Sequence, residues 1–149
     1  MNVKEKLYQL CLENVNQRQA NIQKNFASIQ EAMLSETKSS AGDKHETGRA
    51  MLQLEREKLG NQLAEIQKVK EILLKVNSTA KVSQGCLGSV MYTSQANYFI
   101  SVSVGEIIVE NDKFYAIATN TPIGKLLLGK KVGDSITFRN QSFVIEKIV

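Results

Sequence analysis

Two apolar seams of heptad spacing, set on either side of a polar, glycine-bearing turn, restrict the possible folds of this chain more than any other feature. Tyr8, Leu12, Val15, Gln19, Ile22, Phe26, Ile29 and Met33 follow one another at alternating steps of four and three. Beyond the turn, Leu52, Leu59, Leu63, Ile66 and Leu73 resume the same register, with Arg56 and Lys70 in the polar gaps. That period places one apolar stripe on each of two helices. Neither arm contains proline, since the chain's single proline is Pro122. An antiparallel coiled-coil hairpin is the simplest way to bury both stripes. Arms of roughly 30 residues span about 45 Å at the helical rise. The turn Gly42-Asp43-Lys44-His45-Glu46 therefore sits at the far end of a thin rod.

The composition changes near Asn77-Ser78-Thr79. The first 77 residues are rich in Gln, Glu, Lys and Asn, whereas the remainder is rich in Val, Ile, Gly, Ser and Thr, the composition of strands and turns. Two domains are expected: residues 1–77, a coiled-coil hairpin with an acidic tip, and residues 78–149. The net charge of +4 is shared between them, with 12 Lys/Arg against 10 Asp/Glu in the first part and 7 against 5 in the second. Neither part carries the dense basic stripe with which a domain grips nucleic acid unaided. A protein partner is the expectation. Cys11 and Cys86 lie far apart without metal-ligand spacing and read as reduced thiols. The opening residues carry charges throughout, and no segment approaches the roughly 20 apolar residues of a membrane span. A cytoplasmic monomer without membrane contact is expected.

In the second part, alternation and turn residues mark strands over Cys86–Tyr92, Tyr98–Val104, Ile107–Val109 and Phe114–Ala118. The last two join through Glu110-Asn111-Asp112. A closing hairpin runs over Ile136–Phe138 and Phe143–Ile148 across Arg139-Asn140-Gln141. Between the hairpins, Pro122 opens a short apolar helix, with Thr121 as N-cap and Gly129 as its stop. The fold class is α+β: a helical hairpin followed by a small antiparallel sheet bearing one short helix.

Three segments carry candidate chemistry. Gly124–Lys130 has the G-x-x-x-x-G-K spacing of a phosphate loop. Its interior is leucine, Lys131 stands where Ser or Thr would hold magnesium, and no parallel βαβ unit precedes it. It reads as a packing segment. His45 is the only histidine, so no histidine-based triad or cluster is available. Asp43 and Glu46 admit two readings. Acids at a helix start are ordinary capping and dipole partners. Three residues apart, they also project in similar directions and offer two hard oxygen ligands to a magnesium ion, a weak site unless a partner completes it.

The stretch Thr121-Pro-Ile-Gly-Lys-Leu-Leu-Leu-Gly-Lys-Lys-Val-Gly-Asp134 resembles the S-P-[IL]-[AG]-x-x-L-x-G-x-x-x-G-D signature of bacterial Gre-family transcript cleavage factors. Gly42-Asp43-x-x-Glu46 is similar to that family's coiled-coil tip motif, G-D-x-x-E, in the corresponding place. The resemblance covers nearly the whole chain. It implies an FK506-binding-protein-like C-terminal domain that grips the rim of the RNA polymerase secondary channel, with Asn120, Thr121, Pro122, Ile123 and Gly124 as rim contacts. It implies that the coiled coil carries Asp43 and Glu46 to the nascent RNA 3′ end in the polymerase active site. There the two acids are the catalytic pair and help hold a magnesium ion shared with the polymerase. The chain would then have no cofactor of its own and would not be an enzyme by itself, because the polymerase hydrolyses the backtracked RNA.

After the tip glutamate the family continues Asn-Ala-Glu-Tyr, where this chain has Thr47-Gly48-Arg49-Ala50. A homologue that occupies the channel and regulates or inhibits without cleavage is therefore the alternative. A peptidyl-prolyl isomerase is a second one, although such enzymes need an aromatic-lined pocket and this half lacks tryptophan. A coiled-coil adaptor with an inert acidic turn is the third.

Overall fold

Helix α1 spans Val3–Lys38 and helix α2 spans Asp43–Leu74. The computed structural model describes residues 1–38 and 43–149, and for residues 37, 38 and 43–46 the backbone alone. The expected turn at Ser39–Gly42 thus lies outside the described residues. Helix α1 starts where the sequence supplies a cap, with Asn2 Oδ1 accepting from the Glu5 amide at 2.8 Å.

The chain forms two compact units, Val15–Val69 and the combination of Met1–Asn14 with Lys70–Val149. In the first unit the two helices run antiparallel. The Arg56 guanidinium lies 5.8 Å from the Phe26 ring centroid. Gly60 faces the same ring, and Gly48 faces the Glu36 carboxylate nearer the turn. The expected seams are the shielded positions: Val15, Gln19, Ile22, Phe26, Ile29 and Met33 on α1, and Leu52, Arg56, Leu59, Leu63 and Ile66 on α2. Only Val15, Leu59 and Ile66 are fully buried, because a two-helix layer has no third element to close over it.

The second unit holds a six-stranded sheet in the order β3-β4-β2-β1-β6-β5. Its strands are β1 Val90–Thr93, β2 Asn97–Ser101, β3 Gly105–Val109, β4 Asp112–Ala118, β5 Ser135–Phe138 and β6 Gln141–Ile148. Helix α3, Pro122–Leu127, lies between β4 and β5 in sequence. Two expectations need correction. The sheet is not wholly antiparallel, because β2 pairs with β4 in parallel, Tyr98 against Tyr115 and Ile100 against Ile117. The first strand begins at Val90 instead of Cys86. Gly88 takes φ +94°, and the Ser89 amide and hydroxyl both donate to the Cys86 carbonyl, which closes a turn there. The β3–β4 and β5–β6 hairpins stand as expected. Each turns on two left-handed residues, Glu110-Asn111 and Arg139-Asn140, the backbone twist that two-residue hairpins require.

Side-chain alternation splits the sheet into two faces. One face buries Met91, Ile100, Ile136, Phe143 and Ile145 with Leu127 of α3. The other buries Val90, Phe99, Phe114 and Ala116. The start of α1 brings Cys11 beside Ser101 on this second face. Among residues 1–14 the fully shielded side chains are Lys4, Leu7 and Cys11, while Tyr8 and Leu12 of the expected seam are half-buried. Helix α1 therefore has two working stripes at its start, one more than its heptad pattern predicts.

Candidate functional site

Helix α2 begins at Asp43, so Asp43 and Glu46 fall in its first turn. Their side chains, like that of His45, lie outside the described residues. From Val69 to Asp43 the helix rises about 40 Å, and this separates the acid pair from the far end of its unit. Immediately behind them Thr47 and Arg49 are exposed, and Gly48 is half-buried with the position of its missing Cβ 3.3 Å from Glu36 Oε1. Arg49 and Arg56, one heptad apart on α2, line a groove of about 370 Å³ with Gln30, Met33 and Leu34. The heptad count treats Arg56 as a polar gap in the seam, so it conceals this groove.

The second candidate site is the loop that leads into α3. Thr121 caps the helix as expected: its hydroxyl accepts from the Gly124 amide at 3.1 Å and donates to the Ala118 carbonyl at 2.8 Å. Pro122 occupies the first turn, where its missing amide hydrogen costs nothing. Asn120 and Pro122 are exposed, Thr121 and Ile123 are half-buried, and Gly124 is buried. A Cβ at Gly124 would stand 2.3 Å from the Ala118 carbonyl oxygen, so close packing of the loop on the end of β4 demands glycine. The G-x-x-x-x-G-K spacing falls on α3 and its exit. Leu127 is in the core and the chain reverses at Gly129, φ +78°.

Elsewhere in this unit lie two buried titratable groups, of which Lys4 escaped the sequence reading. Lys4 is 2% exposed, and its Nζ donates to the Ala80 carbonyl at 2.6 Å. Loss of water lowers its pKa, and the charge of the neighbouring Cys86 opposes the shift. Burial pushes the Cys11 thiol up to about 11, against the opposing influence of Ser101, whose Oγ makes no hydrogen bond of full geometry. Lys4, Leu7 and Cys11 follow a step of three and then four, one position ahead of the heptad seam. That second stripe was the available signal. Nearby, Lys6 pairs with Glu110 of the β3–β4 turn and holds its carboxyl below the usual carboxylate range. Among the described residues no group of three His, Cys, Asp or Glu side chains is placed to hold a metal ion, and no helix is long and apolar enough to cross a membrane.

No family model matches the chain, and no curated protein matches it. Among solved structures, that of the transcription factor Gfh1 is similar over 92% of this chain and 92% of its own length, at 18% identity and a TM-score of 0.36. At that identity and score neither fold detail nor function transfers from one to the other.

Proposed function

We propose that this chain is a Gre-like transcription elongation factor. It binds RNA polymerase at the secondary channel and stimulates cleavage of backtracked nascent RNA by the polymerase's own active site. The observation that carries the reading is that Asp43 and Glu46, the acids of the Gly42-Asp43-x-x-Glu46 sequence motif, fall in the first turn of α2, at the end of a long antiparallel helix pair. The second motif, Thr121 to Asp134, falls on α3 and its flanking turns, with Pro122 exposed, as is Asn120 just before the motif.

The mechanism asks little of the factor. Asp43 and Glu46 contribute two hard oxygen donors, a donor set suited to magnesium and too small to hold it alone. Together with acids of the polymerase they would hold such an ion, which would supply Lewis-acid chemistry at the scissile phosphate. The carboxylates also accept hydrogen bonds from water and so can orient the attacking nucleophile. The Arg49–Arg56 groove places two fixed positive charges behind the acids, where they can attract the extruded RNA backbone. The nascent RNA 3′ end is thus the partner at the tip. The protein acts as a monomer and needs no cofactor of its own.

The test is transcript cleavage by stalled elongation complexes from the same organism, with the wild type and with Asp43→Asn/Glu46→Gln. Shortened RNA with the wild type alone supports the proposal. Absence of cleavage from both, with polymerase binding intact, moves the protein to a channel-occupying regulator. The Thr47-Gly48-Arg49-Ala50 segment favours that second reading, because it lacks the acid and aromatic the family carries behind the tip.

A further inference from the structure

Strand β3 ends the sheet on one side and has a single neighbour, β4. Their pairing runs without a bulge from Gly105 opposite Ala116 to Val109 opposite Asp112. The two-residue turn at Glu110-Asn111 makes Val109 and Asp112 a hydrogen-bonded pair, and the ladder alternates from there. Gly105, Ile107 and Val109 therefore turn their backbone groups to β4. The amides and carbonyls of Glu106 and Ile108 turn outward, where no strand meets them. Among the described residues no hydrogen bond from outside the ladder reaches either backbone.

A sheet edge is commonly guarded by a bulge, a proline or an outlying charge. Here bulge and proline are absent, and the one charge on the strand, Glu106, is paired with Lys113 of β4 at 3.6 Å. Beside the edge runs a groove of about 310 Å³, between β3 and the start of α1. Leu10, Ile108 and Val109 give it an apolar lining, and Leu10 and Ile108 are 38% and 63% exposed. All of these residues belong to one compact unit. The charges along the groove are unevenly spent. Lys6 pairs with Glu110, and the Met1 amino group adds to that attraction. Glu13 lines the same groove and takes part in no ion pair among the described residues.

We propose that the outer edge of β3 and the groove beside Leu10 take an added strand. The occupant is an extended segment of another protein, with alternating apolar residues and a basic residue among them. Only an extended backbone matches the spacing of the outward amides and carbonyls of Glu106 and Ile108. Every second side chain of the segment then enters the groove against Leu10 and Val109, and the basic residue meets Glu13. The inference rests on the sheet unit alone and is independent of what the tip acids do.

The experiment selects random seven-residue peptides, displayed on phage, on the immobilised full chain. An enriched peptide is synthesised with a fluorophore, and its binding is read by anisotropy. The wild type is compared with Glu13→Lys and Ile108→Pro, each checked for folding by circular dichroism. The peptide is also N-methylated on alternate amides, in each of the two possible phases. The expected sequences alternate apolar residues and carry Lys or Arg. One methylation phase should weaken binding at least tenfold and the other less than twofold, because only one set of amides faces β3. Glu13→Lys should lose at least fivefold, and Ile108→Pro should lose binding outright. The methylation phases and Glu13→Lys decide the matter even where the proline variant does not fold. No enriched sequence, equal effects of the two phases, or undiminished binding to Glu13→Lys overturns the inference. A dimer of the full chain in sedimentation, abolished by Ile108→Pro, gives the edge to a second copy and overturns it too.

Discussion

Replacing Gly85 by alanine should unfold the sheet unit more readily than any other single methyl addition at a described glycine. Gly85 has no unusual φ, so its backbone accepts any residue. The obstacle is space: a Cβ there would stand 2.0 Å from the Leu127 carbonyl oxygen, 2.9 Å from the carbonyl carbon and 3.0 Å from Met91 Sδ. Relief to an ordinary contact needs a shift of more than about 1 Å in backbone, since the nearest atoms are not the end of a flexible side chain. Two hydrogen bonds hold that backbone, from the Gly85 amide to the Lys130 carbonyl and from the Gly129 amide to the Gly85 carbonyl, each 2.8 Å. Overpacking costs about 1–3 kcal/mol and each lost hydrogen bond about 1 kcal/mol, a total of roughly 3–5 kcal/mol. At this chain length that corresponds to a fall in Tm of roughly 10–15 °C. All four tyrosines, Tyr8, Tyr92, Tyr98 and Tyr115, belong to the same unit. Urea unfolding followed by tyrosine fluorescence therefore reports on it directly. Gly105→Ala is the control, with φ +92° and nothing within 4 Å of the added methyl, so it costs only the left-handed backbone, about 1–2 kcal/mol. A Gly85→Ala midpoint equal to or above that of Gly105→Ala would refute the steric argument and the close approach of Gly85 to the exit of α3.

Three further outcomes are expected. In the folded protein a thiol reagent should label one cysteine, the half-buried Cys86, and reach the buried Cys11 only on unfolding; two equivalents without denaturant would contradict the packing of α1 on the sheet. The Cys11 thiol has its pKa raised by burial from an ordinary value near 9 to about 11, so the stability it contributes is intact below pH 9 and is lost as pH rises through 11. Wild type should accordingly lose about 2 kcal/mol more than Cys11→Ala between pH 8 and pH 10.5, measured by urea midpoints at those two values. In the hairpin unit, Gly48→Ala should stabilise by about 0.5–1 kcal/mol through helix propensity, because the nearest atoms belong to the end of the Glu36 side chain and not to backbone; a lower helical melting temperature by circular dichroism would show that Glu36 cannot yield.

Much of this architecture is legible in the sequence because local rules decide it. The seams from Val15 to Met33 and from Leu52 to Ile66 are a matter of period, and those positions are the shielded ones. Thr121 and Pro122 start a helix for reasons contained within four residues. What stayed hidden depends on distant partners. Parallel pairing of β2 with β4 leaves no trace in alternation, since a strand's inward residues are the same whichever neighbour it takes. The turn at Cys86–Ser89 was concealed because glycine accepts either sign of φ, so nothing local fixes Gly88 at +94°; in the fold Val76 lies 3.1 Å from the position of its missing Cβ.

The start of α1 shows how a sequence pattern and its physical use can diverge. Tyr8 and Leu12 continue the heptad, yet Leu7 and Cys11 are the residues fully removed from water. Burial of roughly 1.5–3 kcal/mol per large apolar side chain makes the sheet a stronger claimant for this stretch than a two-helix seam that stays half-exposed. Lys4 follows the same stripe and enters the interior with its ammonium on the Ala80 carbonyl. Asn77 Oδ1 accepts from the amides of Thr79 and Ala80, and so shapes the loop that presents that carbonyl. A lysine there is therefore explained by a single backbone oxygen 76 residues away, and no window of the sequence contains both. The tip acids are the opposite case. Their motif is legible over five residues, and what they do depends on a partner that must supply the remaining ligands, so cleavage with stalled polymerase decides their role.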